Sequence, residues 1–135
     1  MNKKQKGNFA EFYARLLLRL KGYRIIEKNL ITGRGTTAGE IDIIALKGKT
    51  IVFVEVKERQ TLENALYAIK PMQQKRIFNA AKFYLQRHPK YQTYDIRFDA
   101  VFVSQLKIKH IKNAWQTCWI QSKNLKWQKN KPSFW

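Results

Sequence analysis

Glu40, Asp42 and Glu55, three of only nine acidic residues in a chain with twenty-seven Lys and Arg, fall within Gly39-Glu40-Ile41-Asp42-Ile43-Ile44-Ala45 and Ile51-Val52-Phe53-Val54-Glu55-Val56-Lys57. Carboxylates gathered where nearly everything else is positive point to a metal-dependent site for a polyanion. A hard divalent cation such as Mg²⁺ (or Mn²⁺) takes oxygen ligands and keeps several waters. It is typically held by one or two carboxylates together with substrate phosphates. Lys57, two residues beyond Glu55, could orient a bound water or stabilise charge on a phosphate in the transition state. A solvated strand face carrying a Glu40/Lys57 salt bridge accounts for the same residues without chemistry.

Spacing specifies the geometry these residues need. Both segments are strand-length runs of Ile, Val and Phe, and Leu46-Lys47-Gly48-Lys49-Thr50 between them has the size and glycine content of a hairpin loop. A turn centred on Gly48-Lys49 sets Asp42 opposite Glu55 and Glu40 opposite Lys57. Side chains alternate faces along a strand, so Glu40, Asp42, Glu55 and Lys57 are expected on one face. Ile41, Ile43, Val52, Val54 and Val56 are expected on the other. Like charges directly opposed across an antiparallel pair are destabilising, and a shared cation would offset that cost.

Asp42, twelve intervening residues and then Glu55-Val56-Lys57 look like the D…(D/E)xK signature of the PD-(D/E)XK nuclease superfamily. The fuller string from Gly39 to Ala45 and from Val52 to Lys57, with Arg59 behind it, resembles the YraN-like family. These are small bacterial proteins, predicted endonucleases similar to archaeal Holliday junction resolvases. The resemblance runs from about Lys6 to about Ala114 and takes in Gly22-Tyr23, Asn29 and Arg97-Phe98-Asp99-Ala100-Val101. It implies an α/β, restriction-endonuclease-like fold, a mixed β-sheet flanked by helices. It also implies Mg²⁺ (or Mn²⁺) and hydrolysis of phosphodiester bonds in DNA, extending to branched or junction DNA. Asp42 and Glu55 would ligate the metal and Lys57 would position or activate water, with Glu40 and Glu11 assisting. A homodimer is the family-level expectation, because two symmetric cuts need two sites. The competing reading is a non-catalytic, basic nucleic-acid-binding protein whose hairpin carboxylates are structural.

Glu11 admits two roles. The family helix carries a Glu at this place, which makes Glu11 a site residue. From the residues alone, Asn8 as N-cap with Glu11 three positions later fits a capping box.

The elements that must position the site follow from periodicity. A helix is expected from about Asn8 to Lys21 with Phe9, Phe12, Tyr13, Leu16 and Leu20 as its buried stripe. Gly22 suits a helix stop, and Tyr23 to Lys28 reads as a first strand. The glycine-rich stretch 32–39 is a loop from which Arg34 could touch phosphate. Pro71 opens a second helix running to about Arg87, with Ile77, Ala80, Ala81 and Tyr84 inward. Lys75, Asn79, Lys82 and Gln86 line another face, where Lys75 and Lys82, with Arg59 behind the hairpin, could follow a nucleic-acid backbone. Asp95 to Val103 is the last clear strand, with Ile96, Phe98, Ala100 and Phe102 on one side. The order is α-β-β-β-α-β.

Composition bounds the rest. At 135 residues, 44% of them hydrophobic, the chain suits one nuclease-like domain, 1–115. A basic, Trp-rich C-terminal extension, 116–135, completes it. A formal charge of +18 points to nucleic acid, most of all DNA. No apolar run is long enough to span a membrane, so no membrane partner is expected. The start reads as a helix rather than a signal peptide, and the lone Cys118 agrees with a cytoplasmic setting. No acidic residue follows Asp99, while seven lysines alternate with Trp115, Trp119, Trp127 and Trp135. Ile111, Ala114, Trp115 and Cys118 suit a terminal helix packed on the domain. The later lysines suit nucleic-acid contact. His88 and His110 have no partner at metal-ligand spacing and are expected to be ordinary surface residues.

Overall fold

The computed structural model describes residues 3–32, 39–61, 68–105 and 107–115, with side chains from residue 8 onward. Arg34 and the extension 116–135 lie outside the described residues, as does Cys118. A helix α1 (Lys3–Leu20) leads into strands β1 (Arg24–Thr32), β2 (Gly39–Lys47) and β3 (Thr50–Glu58). Helix α2 (Pro71–Arg87) and a single 3-10 turn (Pro89–Tyr91) follow, then β4 (Asp95–Val103) and β5 (Ile108–Ile111). The strands form one sheet in the order β1-β2-β3-β4-β5, antiparallel except for the parallel β3–β4 pair. A parallel pair needs a crossover, and α2 supplies it.

The hairpin forms as its turn chemistry dictates. Gly48 takes φ +59°, which glycine adopts without cost, and pairing runs from Lys47↔Thr50 to Ile43↔Val54 in the expected register. Phe53, Phe98, Ala100 and Phe102 face α2, joined by Ile77, Ala80, Ala81, Tyr84 and Leu85 from that helix. Ile43, Val52, Val54, Val56, Val101 and Val103 face α1.

Three expectations are corrected here. First, α1 begins at Lys3, so Asn8 is interior to the helix and cannot be its N-cap; the capping-box role for Glu11 falls with it. Second, the buried stripe of α1 is Ala10, Ala14 and Leu18 with Leu17 beside them. Phe9, Phe12, Leu16 and Leu20 are instead 51%, 55%, 42% and 78% exposed, so both apolar sets have helical spacing and only one faces inward. The sheet surface under α1 is already filled by branched Val and Ile, so small alanines let the helix approach where Phe would hold it off. Third, the chain from Ile108 forms an antiparallel edge strand on β4 rather than helix. Trp115 nonetheless packs in the core as expected, stacked on Phe98 with ring centroids 5.4 Å apart.

The histidines are also not surface residues. His110 Nε2 lies 2.7 Å from an Asp99 carboxylate oxygen and its Nδ1 lies 2.7 Å from Lys21 Nζ, while Arg97 grips Asp99 with two bonds of 2.8 Å. The Asn113 backbone N–H donates to the same carboxylate, and Arg97 also donates to the Tyr23 hydroxyl. Burial pushes Asp99 towards protonation, but these donors hold its carboxyl below the usual range. Arg97 and Asp99 of the late motif thus tie β4 to β5 and to the corner after α1. His88 packs flat on Tyr84, centroids 3.9 Å apart, with its Nδ1 2.8 Å from the Tyr84 carbonyl oxygen.

Candidate active site

The functional carboxylates gather where β2 and β3 part. Regular pairing stops at Ile43↔Val54, and one residue further the Asp42 side chain replaces the backbone partner: the Val56 N–H donates to Asp42 Oδ2 at 2.8 Å. Ile41 packs into the cluster under α2 while Ile43 packs under α1, so the alternation of faces breaks at Asp42. The expected shared face for Ile41 and Ile43 is therefore corrected. Asp42 is turned inward to meet the Val56 N–H, while still lining one cavity with Glu40. The cause is local: a strand that splays from its neighbour frees a backbone N–H, and a buried N–H must find a partner.

Glu55 and Asp42 are both buried, and Glu11 of α1 comes within hydrogen-bonding reach of Asp42. Burial first, and the Asp42 charge second, push Glu55 up to about 8 and Glu11 up to about 7. Asp42 is itself raised, by burial and by the charge of Glu40, against the pull of the Val56 N–H. Glu11, Asp42 and Glu55 are thus drawn together from three elements. Lys57 Nζ lies 3.3 Å from Glu55 Oε1, so the ion pair of this hairpin is Lys57–Glu55 and not Glu40–Lys57. Glu40 pairs with Ile31 in β1 and is exposed.

An open cavity of about 450 Å³ lies over the parted strands. Glu40, Asp42, Glu55 and Lys57 line it together with Arg59, and α2 contributes Gln73 and Arg76, with Lys70 just before the helix. Gln73 Nε2 donates to Glu55 Oε1 at 2.6 Å, so two donors converge on one oxygen of that carboxylate. Gly39 makes the approach of α2 possible: a Cβ there would run into the Arg76 carbonyl oxygen and come within 2.9 Å of the Ala80 Cβ. Lys75 and Lys82 do not line the cavity; Lys75 is exposed and Lys82 lies over the Phe78 ring. Sequence reasoning missed Gln73, Lys70 and Arg76. Their spacing from Pro71 placed them on one helical face, but nothing local said which face meets the hairpin.

The donor set suits a hard cation. Two buried carboxylates and an open cavity match the one or two protein ligands that Mg²⁺ takes when phosphate and water complete its shell. Among the described residues no three His, Cys, Asp or Glu side chains form a cage that would hold a metal unaided.

Residues 10–103 match the model of the Uncharacterised protein family UPF0102, a stretch that takes in α1 from Ala10 onward and the whole hairpin. The chain belongs to the UPF0102 family. This is the YraN family that the hairpin motif resembled. A UPF0102 protein of Paramagnetospirillum magneticum is 44% identical over 113 residues, 83% of this chain and 88% of that protein. One from Bradyrhizobium sp. is 47% identical over 98 residues, 73% of this chain and 69% of its own length. Another, from Nitrobacter winogradskyi, is 40% identical over 109 residues, covering 80% and 89% of the two chains. The UPF0102 region ends with β4, at the strand holding Arg97 and Asp99.

Proposed function

We propose that this UPF0102 protein is a metal-dependent endonuclease that hydrolyses phosphodiester bonds in DNA, including branched or junction DNA. The observation that carries the reading is the convergence of Asp42, Glu55 and Lys57 at an open cavity that Arg59, Lys70 and Arg76 also line. Asp42 and Glu55 would hold Mg²⁺ or Mn²⁺, which when bound supplies charge neutralisation on the phosphate and a more acidic water. Gln73 and Lys57 orient Glu55 through Oε1. The Val56 N–H fixes Asp42, so both carboxylates are set before substrate arrives. Lys57 donates towards the phosphate or the attacking water, where one positioned donor is worth roughly 10²- to 10³-fold in rate. Glu11 and Glu40 assist by shaping the charge around Asp42. Among the described residues no helix is long and apolar enough to cross a membrane. A cytoplasmic setting and a homodimer making paired cuts belong to the same proposal.

The test is a panel of single-stranded, duplex, flap and four-way DNA with Mg²⁺ and with Mn²⁺, run beside Glu55→Ala and Lys57→Ala. The expected outcome is cleavage of at least one substrate by wild type. Glu55→Ala should lose metal binding and cleavage together, and Lys57→Ala should lose cleavage while keeping metal and DNA. A wild type that cuts nothing, or a Lys57→Ala protein as fast as wild type, hands the hairpin to the non-catalytic binding reading.

A further inference from the structure

Helix α2 presents the cavity with a face that the hairpin motif does not contain. Gln73 is anchored to Glu55 at 2.6 Å, and Lys70 and Arg76 lie three residues before and after it on the same side. At 1.5 Å per residue they are about 9 Å apart along the helix axis, with Gln73, which holds Glu55, between them. Both ends of this wall are held. Gln74 bonds the Ile69 carbonyl oxygen through its side chain, at 3.0 Å, and the Lys70 carbonyl oxygen through its backbone N–H, also at 3.0 Å. Gly39 seats the Arg76 backbone against the start of β2. Neither the Lys70 ammonium nor the Arg76 guanidinium makes an ion pair with a carboxylate among the described residues, although Glu40, Asp42 and Glu55 line the same cavity. Lys57, by contrast, pairs with Glu55 at 3.3 Å, and Arg59 donates to the Glu58 carbonyl oxygen at 2.6 Å.

We propose that Lys70 and Arg76 form a backbone clamp, each holding a phosphodiester group that flanks the one presented to Asp42 and Glu55. A phosphate approaching two carboxylates meets like charge. Cations one helical turn to either side offset that repulsion through its neighbours without competing for the reacting group. The ligand is therefore a polynucleotide strand of at least three phosphates, and a mononucleotide would leave one or both cations unused. The inference rests on the reading of the cavity as a nucleic-acid site, but its test does not require cleavage.

The decisive comparison is between Lys70→Ala/Arg76→Ala and a control, Lys49→Ala/Lys90→Ala. The control removes the same charge from the opposite end of the hairpin and from the turn after α2. Binding of a five-nucleotide fluorescent strand, as DNA and as RNA, is followed by anisotropy in EDTA across a salt series. The clamp variant should bind at least about tenfold more weakly than the control in one of the two arms. Its salt slope should be lower by about two phosphate contacts. The arm with the larger difference identifies the strand held. Equal losses in the two variants, or no loss in the clamp variant, overturn the clamp and leave only general attraction. Should the alanine pair shift the melting temperature, Arg76→Gln and Lys70→Gln replace it, with the same outcomes deciding. If wild type cuts DNA, the clamp variant should raise KM with kcat nearly unchanged. If wild type cuts nothing, the nuclease reading falls while the binding comparison still judges the clamp.

Discussion

Asp42 has the most constrained chemistry in the molecule, because its carboxylate must serve a backbone N–H, a glutamate on β3 and a glutamate on α1 at once. Burial and mutual charge disfavour ionising them together, and raise Glu55 to about 8 and Glu11 to about 7 from an ordinary value of 4.5. A carboxyl raised in the folded state stabilises the fold fully below its unfolded value, and that contribution is lost as pH rises through the folded value. The window here runs from about pH 4.5 to about pH 8. Metal-free wild type should therefore melt lower at pH 9 than at pH 6, by roughly 5 °C at this chain length. Glu55→Gln, which mimics the protonated group at every pH, should flatten much of that slope. Mg²⁺ added at pH 8 should raise the melting temperature of wild type and not of Asp42→Asn. A scanning calorimetry series across pH checks all three, and an equal slope in Glu55→Gln would remove the raised Glu55 carboxyl as the cause of the pH dependence.

At the scale of elements, α1 shows how little a hydrophobic count decides. It offers two apolar stripes, one large and aromatic, one small, and the sheet accepts the small one. Leu18, fully buried against the branched residues of β3 and β4, should cost about 2 to 5 kcal/mol when cut to Ala. Leu16, two positions earlier and 42% exposed, should cost within about 0.5 kcal/mol beyond its helix propensity when changed to Ala. Urea titrations of the two variants check the difference, and equal losses would mean that α1 packs by its aromatic stripe after all. Gly39 plays the matching part for α2: its missing side chain lets the helix sit close enough for Gln73 to reach Glu55.

For the whole molecule, +18 at neutral pH is a property of charge and not of fold. It should appear as nucleic-acid affinity that falls steeply with salt even without metal, because each neutralised phosphate releases bound counterion. A footprint of six phosphates loses about 10³-fold between roughly 50 and 200 mM salt. Filter binding of a labelled duplex in EDTA reads this directly, and affinity unchanged across that range would contradict it. The same charge serves a nuclease and a simple binder equally, so the two are separated only by what happens at Lys57 and Glu55.

The sequence alone determined what depends on near neighbours along the chain. The turn at Gly48-Lys49 and the alternation of Ile and Val specify the register that brings Asp42 and Glu55 to adjoining places on β2 and β3. Pro71 and a helical period specify α2, and alternation specifies the inward face of β4. Only the tertiary structure decided which stripe of α1 turns inward and that Asp42 breaks the alternation to satisfy the Val56 N–H. It also decided that Gln73 takes hold of Glu55 and that His110 closes on Asp99. Each of these is a choice between local arrangements that periodicity makes equally acceptable. It is settled by the shape and unpaired polar groups of another segment, the eleven residues that separate Asp99 from His110 being no more legible than the eighty-nine that separate Lys21 from His110. Packing and polar satisfaction are properties of the assembled surface, and no segment carries them by itself.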